Sequence, residues 1–474
     1  MTLIDYIIGL SGLVASGLFI YGLKGMSSPV TAVRGIVIAG WGMAFVVVIS
    51  FLGVVNVPDD VRSHLPVNIG LAVLALLIGG LWAGRQGRTV PMTAMPEMVA
   101  LFNGMGGGSA AAVAAVALLR HQESSALHLG VTVAGGLIGC ISLTGSVIAW
   151  AKLAGHINNP MRFSGQRLFN ALVFAATLAI GVMTVVAGTQ GAENAGLYSG
   201  LFFLGALFFG VCMTMPIGGA DMPVVISLYN AFTGLAVGLE GYVMADPALM
   251  IAGMVVGSAG TLLTALMAKA MNRSIMNVLF SNFGATSAAA AGPQGEMKSV
   301  DAGDAATSMR YASSVIIIPG YGLAVAQAQQ KLYEMVKLLV AAGVDVKFAI
   351  HPVAGRMPGH MNVLLAEAGV PYDMIFDMDD INDSFKTTDV ALIIGANDVV
   401  NPSARTDKSS PIYGMPILNA DQAKQVYVIK RGQGTGYSGV QNPLFFNENT
   451  TMIFGDAQAV LSRMVEALKA LGSN

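Results

Sequence analysis

Charged residues are scarce in this chain. Only 11% of its 474 residues are Asp, Glu, Lys or Arg, whereas 54% are hydrophobic and the mean hydropathy is +0.66. Soluble globular proteins carry about 25% charged residues, so the composition predicts a membrane protein. The formal net charge of −2 gives no basic excess for nucleic acid. A nucleic-acid partner is therefore not expected.

Cysteine is also nearly absent. The two cysteines, Cys140 and Cys212, both lie in apolar stretches, so we expect neither a disulfide framework nor a metal site. The N-terminus lacks basic residues before its first apolar run. That run is therefore predicted to be a retained helix and not a cleaved signal peptide.

Long apolar runs dominate the first 270 residues. A helix needs about 20 apolar residues to cross the hydrocarbon core of a bilayer. The sequence contains nine candidates, at residues 3–22, 32–52, 67–84, 97–119, 128–150, 168–188, 197–214, 218–240 and 246–270.

The basic residues of the connecting loops predict the orientation of these helices, because cytoplasmic loops are enriched in Lys and Arg. With the N-terminus outside, the inner loops hold nine such residues and the outer loops two. The inner set is Lys24, Arg34, Arg85, Arg88, Lys152, Arg162, Arg167, Lys269 and Arg273, and the outer set is Arg62 and Arg120. An odd number of spans then places the C-terminal half in the cytoplasm.

Five polar residues interrupt the apolar spans: Asn103, Ser146, Asp221, Asn230 and Glu240. Polar groups are costly in lipid and are functional candidates by default. Structural hydrogen bonding between helices is the alternative for all five. Asp221 precedes Pro223 near the start of its span, so it could also be a helix N-cap.

From about residue 272 the chain has a soluble composition, with an Ala-, Gly- and Ser-rich linker at 285–312. The apolar run 315–318 predicts a buried strand, and Gly320, Tyr321 and Gly322 turn the chain into a helix. Strand, glycine turn and helix open a dinucleotide-binding fold. The third position of the glycine fingerprint is Val325, so an ordinary strand-to-helix turn is the alternative.

Strands and helices alternate through the soluble half. Strands are predicted at 315–318, 346–350, 374–376, 390–394, 426–429 and 452–454, and helices near 323–341, 360–368 and 456–471. Six strands suffice for a doubly wound parallel sheet of the Rossmann type.

The end of the second strand distinguishes between NAD and NADP. NAD sites of this type place a carboxylate there for the ribose 2′-hydroxyl. Here the strand ends at Ile350 and His351, with no carboxylate. Basic residues occur instead at Arg356 and at the Lys430–Arg431 pair after the fifth strand, where a 2′-phosphate could bind. The sequence thus favours NADP, although a basic pair can end any strand.

Several longer motifs resemble one family, the beta subunit of the proton-translocating NAD(P) transhydrogenase. They are Pro319-Gly-Tyr-Gly-Leu-Ala-Val-Ala-Gln-Ala-Gln329, His351-Pro-Val-Ala-Gly-Arg356, Pro358-Gly-His-Met-Asn-Val-Leu-Leu-Ala-Glu367, Gly395-Ala-Asn-Asp-Val-Val-Asn-Pro402, Gly436-Tyr-Ser-Gly-Val-Gln-Asn-Pro-Leu-Phe-Phe446, Thr144-Gly-Ser146 and Gly218-Gly-Ala-Asp-Met-Pro-Val-Val225. The resemblance runs over nearly the whole chain.

The resemblance implies an α-helical membrane domain at 1–271, a linker or hinge at 272–312 and a cytoplasmic NADP(H)-binding Rossmann-like domain at 313–474. It implies an oxidoreductase subunit that passes hydride from NADH on a partner alpha subunit to NADP⁺ on this chain, coupled to proton movement. A dimer of alpha–beta units in a bacterial-type inner membrane is expected. Hydride transfer between cofactors needs no catalytic side chain.

The resemblance also assigns site residues. Those implied to bind or cover NADP(H) are Gly320, Tyr321, Gly322, Val325, Val353, Ala354, Gly355, Arg356, Asn397, Asp398, Lys430, Arg431 and Tyr437, with Asp398 near the nicotinamide and Tyr437 in a lid. Those implied in proton coupling are Asn103, Ser146, Asp221 and Asn230.

Two residues depart from the pattern of the family. Some relatives have a histidine where this chain has Asn103, so the partner subunit becomes a candidate source of the proton carrier. Relatives often have Ser where this chain has Gly432, which removes one phosphate contact. A membrane transporter or channel gated by NADP(H), without redox chemistry, is the competing interpretation of the whole chain.

Overall fold

The computed structural model describes residues 3–56, 64–120, 125–157, 161, 163–218, 221–272, 274–280, 296–357, 359–408, 410, 412–436 and 438–472. The chain divides into two compact units. One comprises Met1–Pro216 and Ile226–Leu263, and the other comprises Ile217–Val225 and Thr264–Asn474.

The first part of the described chain contains nine helices that are long and apolar enough to cross a membrane, which confirms the predicted number. They are α1 (Leu3–Met26), α2 (Pro29–Ser50), α3 (Leu65–Thr89), α4 (Met95–Arg120), α5 (Ala126–Leu153), α6 (Gln166–Thr189), α7 (Ala195–Thr214), α8 (Met222–Val243) and α9 (Pro247–Ala270). A short helix, α10 (Ile275–Phe280), follows.

Large apolar side chains on the outside of these helices are exposed in the described part of the chain. Trp41 on α2 is 72% exposed and Leu81 on α3 is 73% exposed. No residue of α3 is buried. Such surfaces are stable in lipid and not in water, so they support a membrane location for this part of the chain.

Glycine lets neighbouring helices approach closely. A Cβ atom on Gly107 of α4 would lie 2.8 Å from the Cβ of Ser142 on α5. A Cβ on Gly145 of α5 would lie 2.5 Å from the Tyr229 ring on α8. The glycines that the sequence places at 104–108 therefore serve helix packing, as small residues do in membranes.

The second part of the chain is an α/β fold around one parallel sheet. Its strands are β1 (Ser314–Pro319), β2 (Asp345–Ile350), β3 (Ile375–Asp377), β4 (Val390–Ile394), β5 (Gln425–Lys430) and β6 (Thr450–Phe454). Its helices are α11 (Ala302–Arg310), α12 (Tyr321–Val325), α13 (Gln329–Ala341), α14 (His360–Glu367), α15 (Met378–Ile381), α16 (Ser403–Thr406) and α17 (Ala457–Gly472). The strand order is β3-β2-β1-β4-β5-β6, and every pair is parallel.

Both faces of the sheet are covered, so the central strands are apolar on both sides. Ile317 of β1 pairs with Phe348 of β2 and Leu392 of β4, and all three belong to one core. Ile316 and Ile318 point into the other core. The order places β1 and β4 side by side at the centre, which is the switch point of a doubly wound sheet.

The single helix predicted at 323–341 is wrong, because the structure has two separate helices in this stretch. The first ends at Val325 and the second begins at Gln329. Gln327 between them has a left-handed backbone with a φ of +50°. That conformation breaks a right-handed helix, and the Ala-rich sequence carries no signal for it.

Part of the stretch expected as a linker is folded. In α11 the side chains of Ala305, Ala306 and Met309 are fully buried in the core that contains α13 and α17. The side chain of Asp301 caps this helix by accepting a hydrogen bond from the backbone N–H of Gly303 at 2.8 Å. Residues 281–295 of the expected linker lie outside the described residues.

We therefore expect a fragment 296–474 to be more stable than a fragment 313–474. Losing α11 exposes the Met309 site, and burying one such side chain is worth about 1.5–3 kcal/mol. The free energy of unfolding, measured with urea, should drop by roughly 2–4 kcal/mol in the shorter fragment. Met309→Ala in the longer fragment should reproduce most of the loss, and Ser308→Ala, at an exposed position of the same helix, should not. Equal urea midpoints for the two fragments would show that α11 does not belong to this fold.

Candidate functional site

The glycine turn, residues 320–322, lies where β1 and β4 separate. The N–H of Gly320 donates to the Ile394 carbonyl at 2.8 Å, and the N–H of Gly322 donates to the Gly395 carbonyl at 3.0 Å. A Cβ on Gly322 would lie 2.7 Å from the Gly395 Cα. Only glycine permits this approach of backbone to backbone. In sheets of this order, ligands bind in the crevice outside the carboxyl ends of the strands at the switch point.

The loop after β2, residues 353–356, is positioned by His351. This imidazole is buried, and its Nδ1 accepts a hydrogen bond from the N–H of Val353 at 3.2 Å. Its Nε2 therefore carries the proton and donates to the Pro416 carbonyl at 2.8 Å. Burial lowers the pKa of His351 to about 4, against the opposing effects of the Pro416 carbonyl and Asp379. His351 is thus a neutral structural residue at the end of the strand.

Contacts between Tyr321 and Arg356 join this loop to the glycine turn. The Arg356 guanidinium lies over the Tyr321 ring, 4.5 Å from its centroid. The N–H of Arg356 donates to Nδ1 of His360 at 3.1 Å, and the His360 and Tyr321 rings are 6.1 Å apart. Burial, followed by the charge of Arg356, lowers the pKa of His360. Gly355 has a φ of +104°, which suits glycine at this tight turn.

Two other residues implied in nucleotide binding lie nearby. Ala354 is buried, and its N–H donates to the carbonyl of His351 at 3.0 Å. Val325, at the end of α12, is 40% exposed. The fingerprint position is therefore at the surface of the short helix, and a side chain there is tolerated.

The loop after β4 is tied to the segment 436–442. Oδ2 of Asp398 accepts from the N–H of Ser438 at 3.0 Å, and its Oδ1 accepts from the Ser438 hydroxyl at 2.7 Å. The Asn442 amide donates to the carbonyl and to Oδ1 of Asn397, each at 3.1 Å. Both predicted residues therefore hold the segment that contains position 437. Tyr437 itself lies outside the described residues.

Lys430 is the last residue of β5 and Arg431 follows it, so the strand ends one residue later than the predicted 426–429. The Lys430 ammonium lies over the ring of Phe445 at 4.9 Å and donates to the carbonyl of Gly434. Burial lowers the pKa of Lys430, and the charge of Asp398 opposes this shift. Arg431 and Gly432 are exposed. The crevice end of β5 thus carries one anchored cation and one exposed cation.

Sequence reasoning assigned no role to Ser438, Asn442 and Phe445. The first two make the hydrogen bonds to Asp398 and Asn397, and the third supports Lys430. All three lie in the motif 436–446. Their polar and aromatic side chains marked them as candidates for contacts. The partners of Ser438 and Asn442 lie about 40 residues away in sequence, so the contacts themselves could not be predicted.

A polar cluster lies between α4, α5 and α8. The Asn103 amide donates to the Ser146 hydroxyl at 2.9 Å and to the Ser142 hydroxyl at 3.5 Å. The hydroxyls of Ser142 and Thr233 are 2.5 Å apart, and the Ser142 hydroxyl also lies 3.0 Å from the Tyr229 carbonyl. The structure thus brings predicted Asn103 and Ser146 together. It adds Ser142 and Thr233, of which Ser142 could have been found from its i, i+4 spacing to Ser146.

The other two predicted membrane residues lie elsewhere. Asn230 is half-buried, and no hydrogen bond joins it to the polar cluster within the described residues. Asp221 is buried directly before α8, which begins at Met222, and not three residues inside the helix as expected. Pro223 in the first turn of α8 fits this later start, because proline is favoured there.

Comparison with known proteins agrees with the two halves and their motifs. A family model for the NAD(P) transhydrogenase beta subunit matches residues 8–467. This chain belongs to the NAD(P) transhydrogenase beta subunit family. The NAD(P) transhydrogenase subunit beta of Rhodospirillum rubrum is 46% identical over 480 residues, covering 96% of this chain and 98% of the relative. The same subunit from the strain ATCC 11170 of that species gives the same values.

Family membership confirms the resemblance drawn from the motifs. It makes the chain a membrane-embedded subunit of an oxidoreductase that acts on NAD(H) and NADP(H). The word beta in the family description implies an alpha subunit as partner.

The lowered pKa of His351 predicts how the free energy of unfolding of the α/β fold depends on pH. An unfolded histidine has a pKa near 6.5, whereas folded His351 has one of about 4. Between these values the unfolded chain binds a proton that the folded chain does not. The free energy of unfolding of the 296–474 fragment should therefore fall by roughly 3 kcal/mol as pH drops from about 6.5 to 4.

Urea titrations across that pH range test the assignment. His351→Gln should flatten the profile, leaving a smaller slope from His360, whose lowered pKa acts in the same direction. A variant with the unchanged wild-type slope would contradict a buried neutral His351.

Proposed function

We propose that this chain binds NADP(H) in the crevice at the β1–β4 switch point and exchanges hydride with NAD(H) on a partner alpha subunit. Both cofactors belong to the chemistry of the family, and the proposal assigns one of them to this chain. The observation that carries it is the pairing of a bare glycine turn with the Lys430–Arg431 strand end at one edge of the sheet.

The residues of this edge fit a dinucleotide with an extra phosphate. Gly320 and Gly322 have no side chain that would keep a pyrophosphate away from the backbone. β2 ends at Ile350 and is followed by His351, so no carboxylate at that strand end would repel a 2′-phosphate. Lys430 and Arg431 supply positive charge at the end of β5, and Arg356 supplies it near the glycine turn.

The remaining residues have supporting roles in this proposal. Val353, Ala354 and Gly355 follow the dinucleotide as a loop whose shape His351 and His360 maintain. Asn397 and Asp398 lie on the nicotinamide side and hold Ser438 and Asn442, so they fix the segment carrying Tyr437. That segment then acts as a lid.

The cofactors supply the redox chemistry, and the protein supplies position and exclusion of water. We assign no catalytic side chain to this chain. The hydride step needs the second nicotinamide, which the proposal places on the alpha subunit, so this chain alone should not turn over.

We further propose that the membrane helices couple hydride transfer to proton movement. Asn103, Ser146 and Asn230 do not change charge at ordinary pH, whereas Asp221 can. Asp221 is buried at the start of α8 and is the candidate through which protonation influences NADP(H) binding. The loop charges favour an outer N-terminus and a cytoplasmic α/β domain in a bacterial-type inner membrane, with a dimer of alpha–beta units.

Replacing Lys430 and Arg431 by alanine tests the assignment of NADP. Each charge-assisted hydrogen bond contributes about 1.5–3 kcal/mol, so losing two should weaken NADPH binding roughly 100- to 10,000-fold. Calorimetric titration of the 296–474 fragment measures this, and NADH binding should barely change.

Lys424→Ala is the matched control, because Lys424 precedes β5 and pairs with Asp389 at the opposite end of the strands. It should leave the affinity for NADPH unchanged. NADPH bound tightly by the double variant would exclude the Lys430–Arg431 pair as the 2′-phosphate site.

A further inference from the structure

Polar groups recur along the seam between α5 and α8. These helices run antiparallel, since Gly145 faces Tyr229, Ser142 faces Thr233 and Gly135 faces Glu240. Thr233 and Glu240 are seven residues apart, so they share one face of α8 and are separated by about 10 Å along its axis. The seam therefore has two polar positions, one at Ser142–Thr233 and one at Glu240.

Glu240 occupies its position without a hydrogen-bonding partner among the described residues. The side chain is 2% exposed, and neither carboxyl oxygen has a hydrogen bond within the described residues. The carboxyl lies against the backbone of Gly135, where an added Cβ would be 3.2 Å from Glu240 Cδ and closer still to Oε1. An ionised carboxylate with no donor is strongly disfavoured in such surroundings, whereas the neutral acid is tolerated. The stable form of this side chain holds a proton.

At the end of these helices near Glu240, the described chain carries the charged or titratable residues Asp246, Arg120, Tyr242 and His128. Asp246 is occupied as a cap, accepting from the N–H groups of Ala248 and Leu249 at 2.8 and 3.2 Å. Arg120 and Tyr242 are exposed at the same end of the helices. His128 lies seven residues before Gly135 on the same face of α5. None of these four makes a hydrogen bond to Glu240 within the described part of the chain.

Small apolar residues separate the two polar positions. Ala236 is fully buried on α8, and a Cβ on Gly139 of α5 would lie 2.9 Å from the Ala111 nitrogen. The amide and hydroxyl groups of the polar cluster around Asn103 and Ser142 neither gain nor lose a proton at ordinary pH. Of the two polar positions on this seam, only the one at Glu240 can do so in the part of the chain that the structure describes.

We propose that Glu240 is a proton-binding site of the membrane half. In the resting state its carboxyl group is protonated. When water reaches it, the O–H bond breaks, the electron pair stays on the carboxylate and the proton passes to that water. The proposal rests on the proposed coupling of hydride transfer to proton movement, and it gives this chain a titratable group that Asn103 does not supply.

Carbodiimide labelling tests the proton itself, independently of pumping. Dicyclohexylcarbodiimide adds to protonated carboxyl groups in apolar surroundings, with the carboxyl proton moving to nitrogen. Mass spectrometry of the full alpha–beta complex should find the adduct on Glu240 at neutral pH, with labelling declining as pH rises. No adduct on Glu240 across the pH range in the folded complex would overturn the proposal.

Proton movement in vesicles tests the role. With hydride exchange driving the complex and a pH-sensitive dye reporting, Glu240→Gln should slow proton movement roughly 100-fold, because a positioned proton donor contributes about that much. The amide mimics the neutral acid, so the variant should fold, and Glu240→Asp should restore part of the rate. The exposed carboxyl variant Glu193→Gln is the control and should behave as wild type.

The outcomes separate the two proposals. Wild-type proton movement in Glu240→Gln would overturn the role of Glu240 and leave the coupled function standing. A wild-type complex that exchanges hydride without moving protons would overturn the coupled function, and the labelling result would then decide alone whether Glu240 holds a proton.

Discussion

Close approach of a neighbouring element to the backbone of glycine is the constraint on which both halves of this chain depend. In the α/β fold, Gly322 meets Gly395 at the switch point, so peptide groups and not side chains lie at this point of contact. In the membrane helices, Gly107 admits Ser142 and Gly135 admits the carboxyl of Glu240. A Cβ at Gly322 or Gly107 would push the packed elements apart, whereas a Cβ at Gly135 would displace the carboxyl end of the Glu240 side chain.

The crevice is assembled from the ends of four neighbouring strands. β1 supplies the glycine turn, β2 the 353–356 loop, β4 Asn397 and Asp398, and β5 the basic pair. Each loop is fixed by a contact to another part of the fold, such as Arg356 on Tyr321 or Asp398 on Ser438. Parallel strands gather their carboxyl ends at one edge, so residues far apart in sequence become neighbours.

Sequence periodicity predicted the nine helices and six strands because hydropathy and β-branched runs are local signals. The break at Gln327 was missed because Ala-rich sequence favours continuing the helix. The α11 segment was predicted to be part of a linker because its alanines resemble a low-complexity sequence. In the structure these alanines are buried against α17. Three features of the candidate sites could be predicted from the sequence. They are the glycine turn at 320–322, the Lys430–Arg431 pair, and the polar residues Asn103 and Ser146. The hydrogen bonds of Asn397 with Asn442 and of Asp398 with Ser438 depend on tertiary folding, so the sequence could not predict them.

In the proposed coupling, a proton crossing about 150–200 mV supplies roughly 3.5–4.6 kcal/mol, and this biases hydride exchange only if protonation in the membrane alters how NADP(H) is held. The central claim is that this chain holds one nucleotide and its partner the other. The direct test is hydride exchange between NADH and an NADP analogue, measured on the purified full chain before and after adding the alpha subunit. We predict no exchange before the addition and exchange after it. Exchange by the full chain alone would contradict the divided site.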